Sequence, residues 1–122
     1  MESWKLTWTK LTQLDQSNVQ NIPDSTPGVY RLSYLSEDGN RYVFYVGQAD
    51  DLRGRILQHI QDSEENTCIK TYFVSKPCFF RYAKATSPDV RDAAEKQMYK
   101  RYKPRCNERD PGGREDIEVN LT

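Results

Sequence analysis

The sequence predicts a small α/β domain of the α+β kind, a three-stranded antiparallel sheet flanked by helices. Three observations carry this. Two runs rich in β-branched and aromatic residues, Gly28 to Leu35 and Arg41 to Gln48, lie on either side of Ser36-Glu37-Asp38-Gly39-Asn40, where Asp-Gly supplies the turn of a hairpin. A third such run follows at Phe79 to Ala83. Apolar residues recur at helical spacing at Leu52, Ile56, Leu57 and Ile60, and again at Val90, Ala94 and Met98.

The 122 residues allow one domain with a real core and not two. We divide the chain into a core over residues 23–108, an N-terminal packing arm over 1–22 and a C-terminal arm over 109–122. In the first arm Trp4, Leu6 and Trp8 alternate as in a half-buried strand, and Asp15-Gln16-Ser17-Asn18 reads as a turn or helix start. Two tryptophans are too much apolar surface to leave in water, so this arm is expected to fold onto the core. An exposed Trp that stacks on a base is the less favoured reading. Pro23 to Pro27 forms a stiff lead into the first core strand.

In the hairpin, a four-residue loop at Ser36 to Gly39 would set Leu35 against Asn40 and Tyr30 against Tyr45. Both phenols then share one face, because cross-strand partners point the same way. Asp50 or Asp51 caps the helix that follows, on which Arg55 and His59 lie one turn apart. Residues Cys68 to Phe73 have no clear period and read as helical or irregular. Ser87-Pro88-Asp89 is a helix start, with Ser87 as cap and Pro88 where no amide donor is needed. On that helix Glu95 falls about 60° from Met98 and about 20° from Tyr102, at the edge of the core face. Pro104 ends it. Ile117, Val119 and Leu121 alternate as a final strand or an arm for a dimer contact.

Composition narrows the function classes. The longest apolar runs fall far short of the roughly 20 residues that cross a bilayer, and Met1 to Lys5 lacks the pattern of a signal peptide. The expected location is the cytoplasm, with no membrane contact. Cys68, Cys78 and Cys106 lack C-x-x-C spacing and are read as three reduced thiols. A zinc site from these and His59 would draw on ligands scattered along the chain, unlike the short pairs of structural zinc. Basic and acidic residues number 18 each, which argues mildly against a nucleic-acid binder. Residues 91–105, however, hold six basic side chains against two acidic ones, so one basic face remains compatible with the total.

One set of residues stands out in order along the chain: Gly28-Val29-Tyr30, Tyr45-Val46-Gly47, Leu52-x-x-Arg55, Arg55-x-x-x-His59, then Glu95 and Asn107. In spacing and order it resembles the GIY-YIG nuclease family over roughly residues 23 to 108. The resemblance implies a small, stand-alone, metal-dependent DNA endonuclease, with RNA a less favoured substrate. Catalytic positions carried over are Tyr30, Tyr45, Arg55, His59 and Glu95. Glu95 would hold Mg²⁺ or Mn²⁺, and Gly47, Gln48, Arg53 and Asn107 would meet or support the substrate.

The chemistry of these groups agrees with such a role. A guanidinium fits a phosphate and is permanently charged, which suits Arg55 to stabilise the transition state. A carboxylate is a hard ligand for an ion that keeps most of its waters. The general base stays open between Tyr30, which the resemblance favours, and His59, whose ordinary pKa near ~6.5 makes it chemically the easier base. Gln48 stands where the family often has Lys, and Arg53 points away from Arg55 on helical spacing. With no appended recognition module in view, target choice is assigned to the arms, to a homodimer or to a partner chain. The alternative from another class is a catalytically silent module that binds nucleic acid or protein.

Overall fold

The computed structural model describes residues 2–122. Ten elements follow one another: β1 (Glu2–Trp4), β2 (Thr12–Gln13), α1 (Gln16–Gln20), β3 (Gly28–Leu35), β4 (Arg41–Ala49), α2 (Leu52–His59), α3 (Thr67–Ser75), β5 (Cys78–Lys84), α4 (Pro88–Tyr102) and β6 (Ile117–Val119). The main sheet is antiparallel, in the order β2-β5-β3-β4. It therefore has four strands and not three. The extra one comes from the N-terminal arm, where Thr12 and Gln13 pair with Phe80 and Phe79. Two residues carry no alternation of their own, and only the neighbouring strand makes them extended.

The two arms also pair with each other. β1 runs parallel to β6, and Leu6, Ile117 and Val119 are buried. Trp8 bridges to Ala83 and donates its indole N–H to the Asn120 carbonyl. Trp4 stays exposed.

The hairpin register differs from the expected one. Leu35 pairs with Arg41 and Tyr30 with Gly47. The connection is Ser36 to Asn40, closed by the Ser36 amide on the Asn40 carbonyl at 2.8 Å, with Gly39 at φ 85°. A bulge follows between Leu32/Tyr45 and Ser33/Val43, leaving Phe44 as the extra residue of β4. Tyr30 and Tyr45 are consequently diagonal rather than opposite. They still share a face, because their register has moved by two and the side-chain period is two.

Each face of the sheet is covered. Tyr30, Leu32, Phe44 and Phe80 pack with Leu14, Val19 and Ile22 of the N-terminal arm, with Leu52 and Ile56 of α2, and with Ile69 of α3. Val29, Val46 and Ala83 face the other way, onto Val90, Ala93, Ala94 and Met98 of α4 and onto β6. The α4 stripe and its Ser87 cap follow the sequence reading, the cap accepting from the Val90 amide. Asp51 is the residue before α2, although its carboxylate bonds no amide there. α3 is a helix despite its β-branched and aromatic composition, started by Asn66, whose side chain accepts from the Ile69 amide.

The cysteine reading needs correction. Cys68 of α3 and Cys106 form a disulfide, with Cα atoms 5.3 Å apart, and Cys78 alone is free and buried. The partners are 38 residues apart, so no local spacing announces them. Among the described residues no helix is long and apolar enough to cross a membrane.

Candidate active site

β4 is the edge of the sheet, and an edge leaves unpaired amides and carbonyls. The segment after α4 covers them. The Cys106 amide donates to the Phe44 carbonyl at 2.8 Å. The Asn107 side chain accepts from the Val46 amide at 2.9 Å and donates to the Val46 carbonyl at 2.8 Å. A carboxamide carries both donor and acceptor, so this one side chain replaces a strand residue. The Asn66 side chain donates to the Cys106 carbonyl, and the disulfide ties the same point to α3.

Over this covered edge the two helix layers meet. α2 brings Arg55 and His59 across one face, and α4 brings Glu95 from the other. Tyr45, Arg55, Glu64, Glu95 and Asn107 line one polar cleft of about 740 Å³. Tyr30 and His59 lie buried behind the Tyr45 wall, each 1% exposed. The Tyr30 hydroxyl lies 2.7 Å from His59 Nε2, and the Tyr45 ring stands 6.1 Å from that of Tyr30 and 5.0 Å from that of His59. All five residues named from the sequence as catalytic are therefore gathered in one place.

Gly47 has a steric reason to be glycine. A Cβ there would lie 2.6 Å from the Tyr30 hydroxyl and 2.7 Å from its ring carbon Cζ. Its missing side chain is the space the phenol occupies. Gly28 obeys a similar rule, since a Cβ would meet the Ala83 carbonyl oxygen of β5 at 2.2 Å.

The electrostatics follow from burial. Burial pushes the Tyr30 phenol well above its ordinary pKa; Tyr45 and Glu95 add to this, and Arg55 opposes it. Tyr45 is also raised, by burial, with Arg55 pulling it back. Burial, and then the Arg55 guanidinium, lower His59 to about 4, against the opposing pull of Glu64. At neutral pH its imidazole is uncharged. Its Nδ1 lies 2.9 Å from Glu64 Oε2.

Gln48 and Arg53 are placed differently from a simple phosphate-binding role. The Gln48 amide nitrogen donates to Asp92 Oδ1 at 2.6 Å and to Glu95 Oε1 at 3.1 Å, bridging two carboxylates one turn apart on α4. Burial raises the Glu95 pKa, Asp92 adds to it, and the Gln48 bond opposes it. Arg91, one turn before Glu95 on α4, does not pair with it but reaches Asp50 and the carbonyls of Ala85 and Thr86. Arg53 pairs with Asp24 and does not line the cleft.

A model of the GIY-YIG catalytic domain matches residues 26–109, well over half of the chain. The chain belongs to the GIY-YIG family. It is similar to the UvrABC system protein C of Rickettsia rickettsii (strain Sheila Smith), at 28% identity over 96 residues. It is also similar to the protein of that name from Bacteroides fragilis, at 36% identity over 90 residues. The alignments take in 79% and 73% of this chain but only 14% of either relative. No solved structure matches it.

The matched range contains both triplets, with Tyr45 in the cleft wall, Tyr30 buried behind it and Gly47 leaving room for the Tyr30 ring. Two neighbours were not singled out in the sequence. Asp92 reads there only as a charge in the first half of a helix. Glu64 reads as one of a solvated acidic run, Asp62-Ser63-Glu64-Glu65, yet it is 8% exposed. The signal available was its nearness to the lone histidine, five residues before it at the end of a helix.

Among the described residues no group of three His, Cys, Asp or Glu side chains is arranged to hold a metal. The donor set fits a hard cation of the Mg²⁺ type nonetheless, because such an ion takes one or two carboxylates and keeps several waters. Glu95 faces a polar cleft, and its proton affinity is raised by burial and by Asp92, a strain that a nearby cation relieves.

Proposed function

We propose that the chain is a metal-dependent endonuclease that hydrolyses DNA phosphodiester bonds. One observation carries the reading: Tyr45, Arg55 and Glu95 line a single cleft, and the hydrogen-bonded pair Tyr30 and His59 is packed against Tyr45 behind it. Arg55 is the group for the charge that builds on the phosphoryl oxygens. Tyr30 accepts the proton of the attacking water, and Tyr45 and His59 complete its hydrogen-bonding surroundings. Glu95, oriented by Gln48, is the ligand for Mg²⁺ or Mn²⁺. When bound, that ion supplies positive charge against the phosphate and the departing oxygen. Asn107 holds the cleft wall in place through β4.

A specific observation favours the second reading, a binding module without cleavage. The cleft holds Glu64, Glu65, Glu95, Glu108 and Asp110 against Arg55 and Arg109. Such an acidic lining repels a phosphate backbone unless a cation is bound, so DNA affinity should itself depend on the metal if the nuclease reading is right. Self-association or a partner chain is the proposed source of target choice. A DNA substrate suggests the cytoplasm as the place of action, where thiol reductants oppose a bridge such as Cys68–Cys106.

The test is incubation with supercoiled plasmid in Mg²⁺ or Mn²⁺ and then with chelator. Nicking that needs the metal and is lost in Arg55→Ala and Glu95→Ala is the expected result. DNA binding indifferent to metal, with no cut product, would favour the module.

A further inference from the structure

Glu64 is a charged side chain that the fold buries at the site and that the roles above leave without a task. It sits in the turn after α2. Its Oε1 accepts the backbone amide of Asn66 at 3.0 Å and its Oε2 lies 2.9 Å from His59 Nδ1. An ionised carboxylate only accepts. With one oxygen taken by a backbone amide that cannot be reversed, the other requires a hydrogen on Nδ1. A neutral imidazole then has a bare Nε2, and that atom is the one 2.7 Å from the Tyr30 hydroxyl.

We propose that Glu64 is a positioning residue: it fixes His59 in the Nδ1–H tautomer, so that Nε2 takes the Tyr30 proton while Tyr30 accepts one from the attacking water. The inference rests on the nuclease reading above. In the step, the water oxygen forms the new bond to phosphorus and its proton passes to Tyr30 Oη. Tyr30's own proton passes to His59 Nε2. The P–O bond to the leaving sugar breaks with its electron pair on the alkoxide, which is protonated from solvent. The positive charge gathered on the imidazole, which burial and Arg55 oppose, is offset by the Glu64 carboxylate that faces Nδ1. Because the phenol hands on one proton as it receives another, no full phenolate has to exist in a site that burial makes hostile to it. Tyr30 and His59 then form one relay, and the choice between them as base dissolves.

Glu64→Gln is the informative variant, because a carboxamide has one acceptor and one donor end. Its oxygen must serve the Asn66 amide, and its NH₂ then faces His59 Nδ1. The imidazole accommodates this by moving its hydrogen to Nε2, which removes the acceptor Tyr30 needs. His59 is the only histidine in the chain, so two-bond ¹H–¹⁵N correlation spectra at neutral pH report its tautomer without assignment. The wild-type protein is expected to show Nδ1–H, and Glu64→Gln is expected to show Nε2–H. In cleavage assays its kcat should fall about 100-fold, the scale of a lost proton-transfer group, with KM little changed.

A wild-type spectrum with Nε2 protonated overturns the proposal, and it decides the matter alone if the variant does not fold. A folded Glu64→Gln protein that cuts at the wild-type rate also overturns it while leaving the nuclease intact. A wild-type protein that cuts nothing removes the nuclease reading and the relay together.

Discussion

The Tyr30 hydroxyl and His59 Nε2 lie 2.7 Å apart beneath the cleft, where each side chain is 1% exposed. Burial, and after it Arg55, hold His59 near a pKa of about 4, with Tyr30 and Tyr45 beside it and Glu64 at its other nitrogen. The unfolded chain, with a histidine near ~6.5, binds a proton that the folded chain refuses between these values. The contribution of His59 to stability is therefore complete above about pH 6.5 and is lost as the pH falls toward 4. Glu95, raised by burial, acts in the opposite sense, its folded form being the one that holds a proton more tightly. Urea midpoints from pH 7.5 to 4.5 should fall in the wild-type protein and fall less in His59→Gln.

Gly47→Ala places a methyl group 2.6 Å from the Tyr30 hydroxyl. The ring is buried beside His59 and Tyr45. A loss of about 1–3 kcal/mol is expected, as for overpacked cores, with a larger fall in cleavage because Tyr30 leaves its bond to His59. Denaturant melts and nicking rates on one preparation measure both. An alanine variant as stable as the parent would show that the phenol has room to shift.

The Cys68–Cys106 bridge closes a loop over a separation of 38 residues and anchors the segment that covers the edge of β4. Chain entropy gives such a loop about 3–4 kcal/mol. Reductant or Cys106→Ser should lower the melting temperature, and exchange of the Val46 amide, held by Asn107, should quicken. Melting curves that coincide with and without reductant would contradict this.

Gln48 is the neutral bridge between Asp92 and Glu95. Without it two carboxylates repel and Glu95 is free to turn. Gln48→Ala is expected to need about 10–100 times more Mg²⁺ for half-maximal cleavage, the usual cost of losing support around a metal ligand, and to recover at saturating metal. A pure loss of maximal rate would assign Gln48 another role.

The hairpin, the α2 and α4 stripes and the Ser87 cap were legible in the chain, because each depends on periodicity or a local signal, while the five-residue set was named through a resemblance in motif order. What escaped depends on distant partners. Thr12 and Gln13 are a strand only because β5 lies beside them, and Cys68 meets Cys106 only once α3 and the segment after α4 are in place. The hairpin register moved by one residue because the connection takes in Asn40, and by a second because Phe44 bulges out, neither of which alternation reveals. Glu64 hid in a run of acids whose other members are exposed, and only the fold tells which one turns inward.

The central claim is that Tyr30 takes part in breaking the phosphodiester, and Tyr30→Phe tests it by deleting one oxygen from a buried ring. The measurement is the single-turnover rate of plasmid nicking in saturating Mg²⁺, with DNA affinity and melting temperature followed on the same samples. A rate at least about 100-fold lower, with affinity intact and the fold retained, is the expected result. A Tyr30→Phe protein that nicks DNA as fast as its parent would contradict the account.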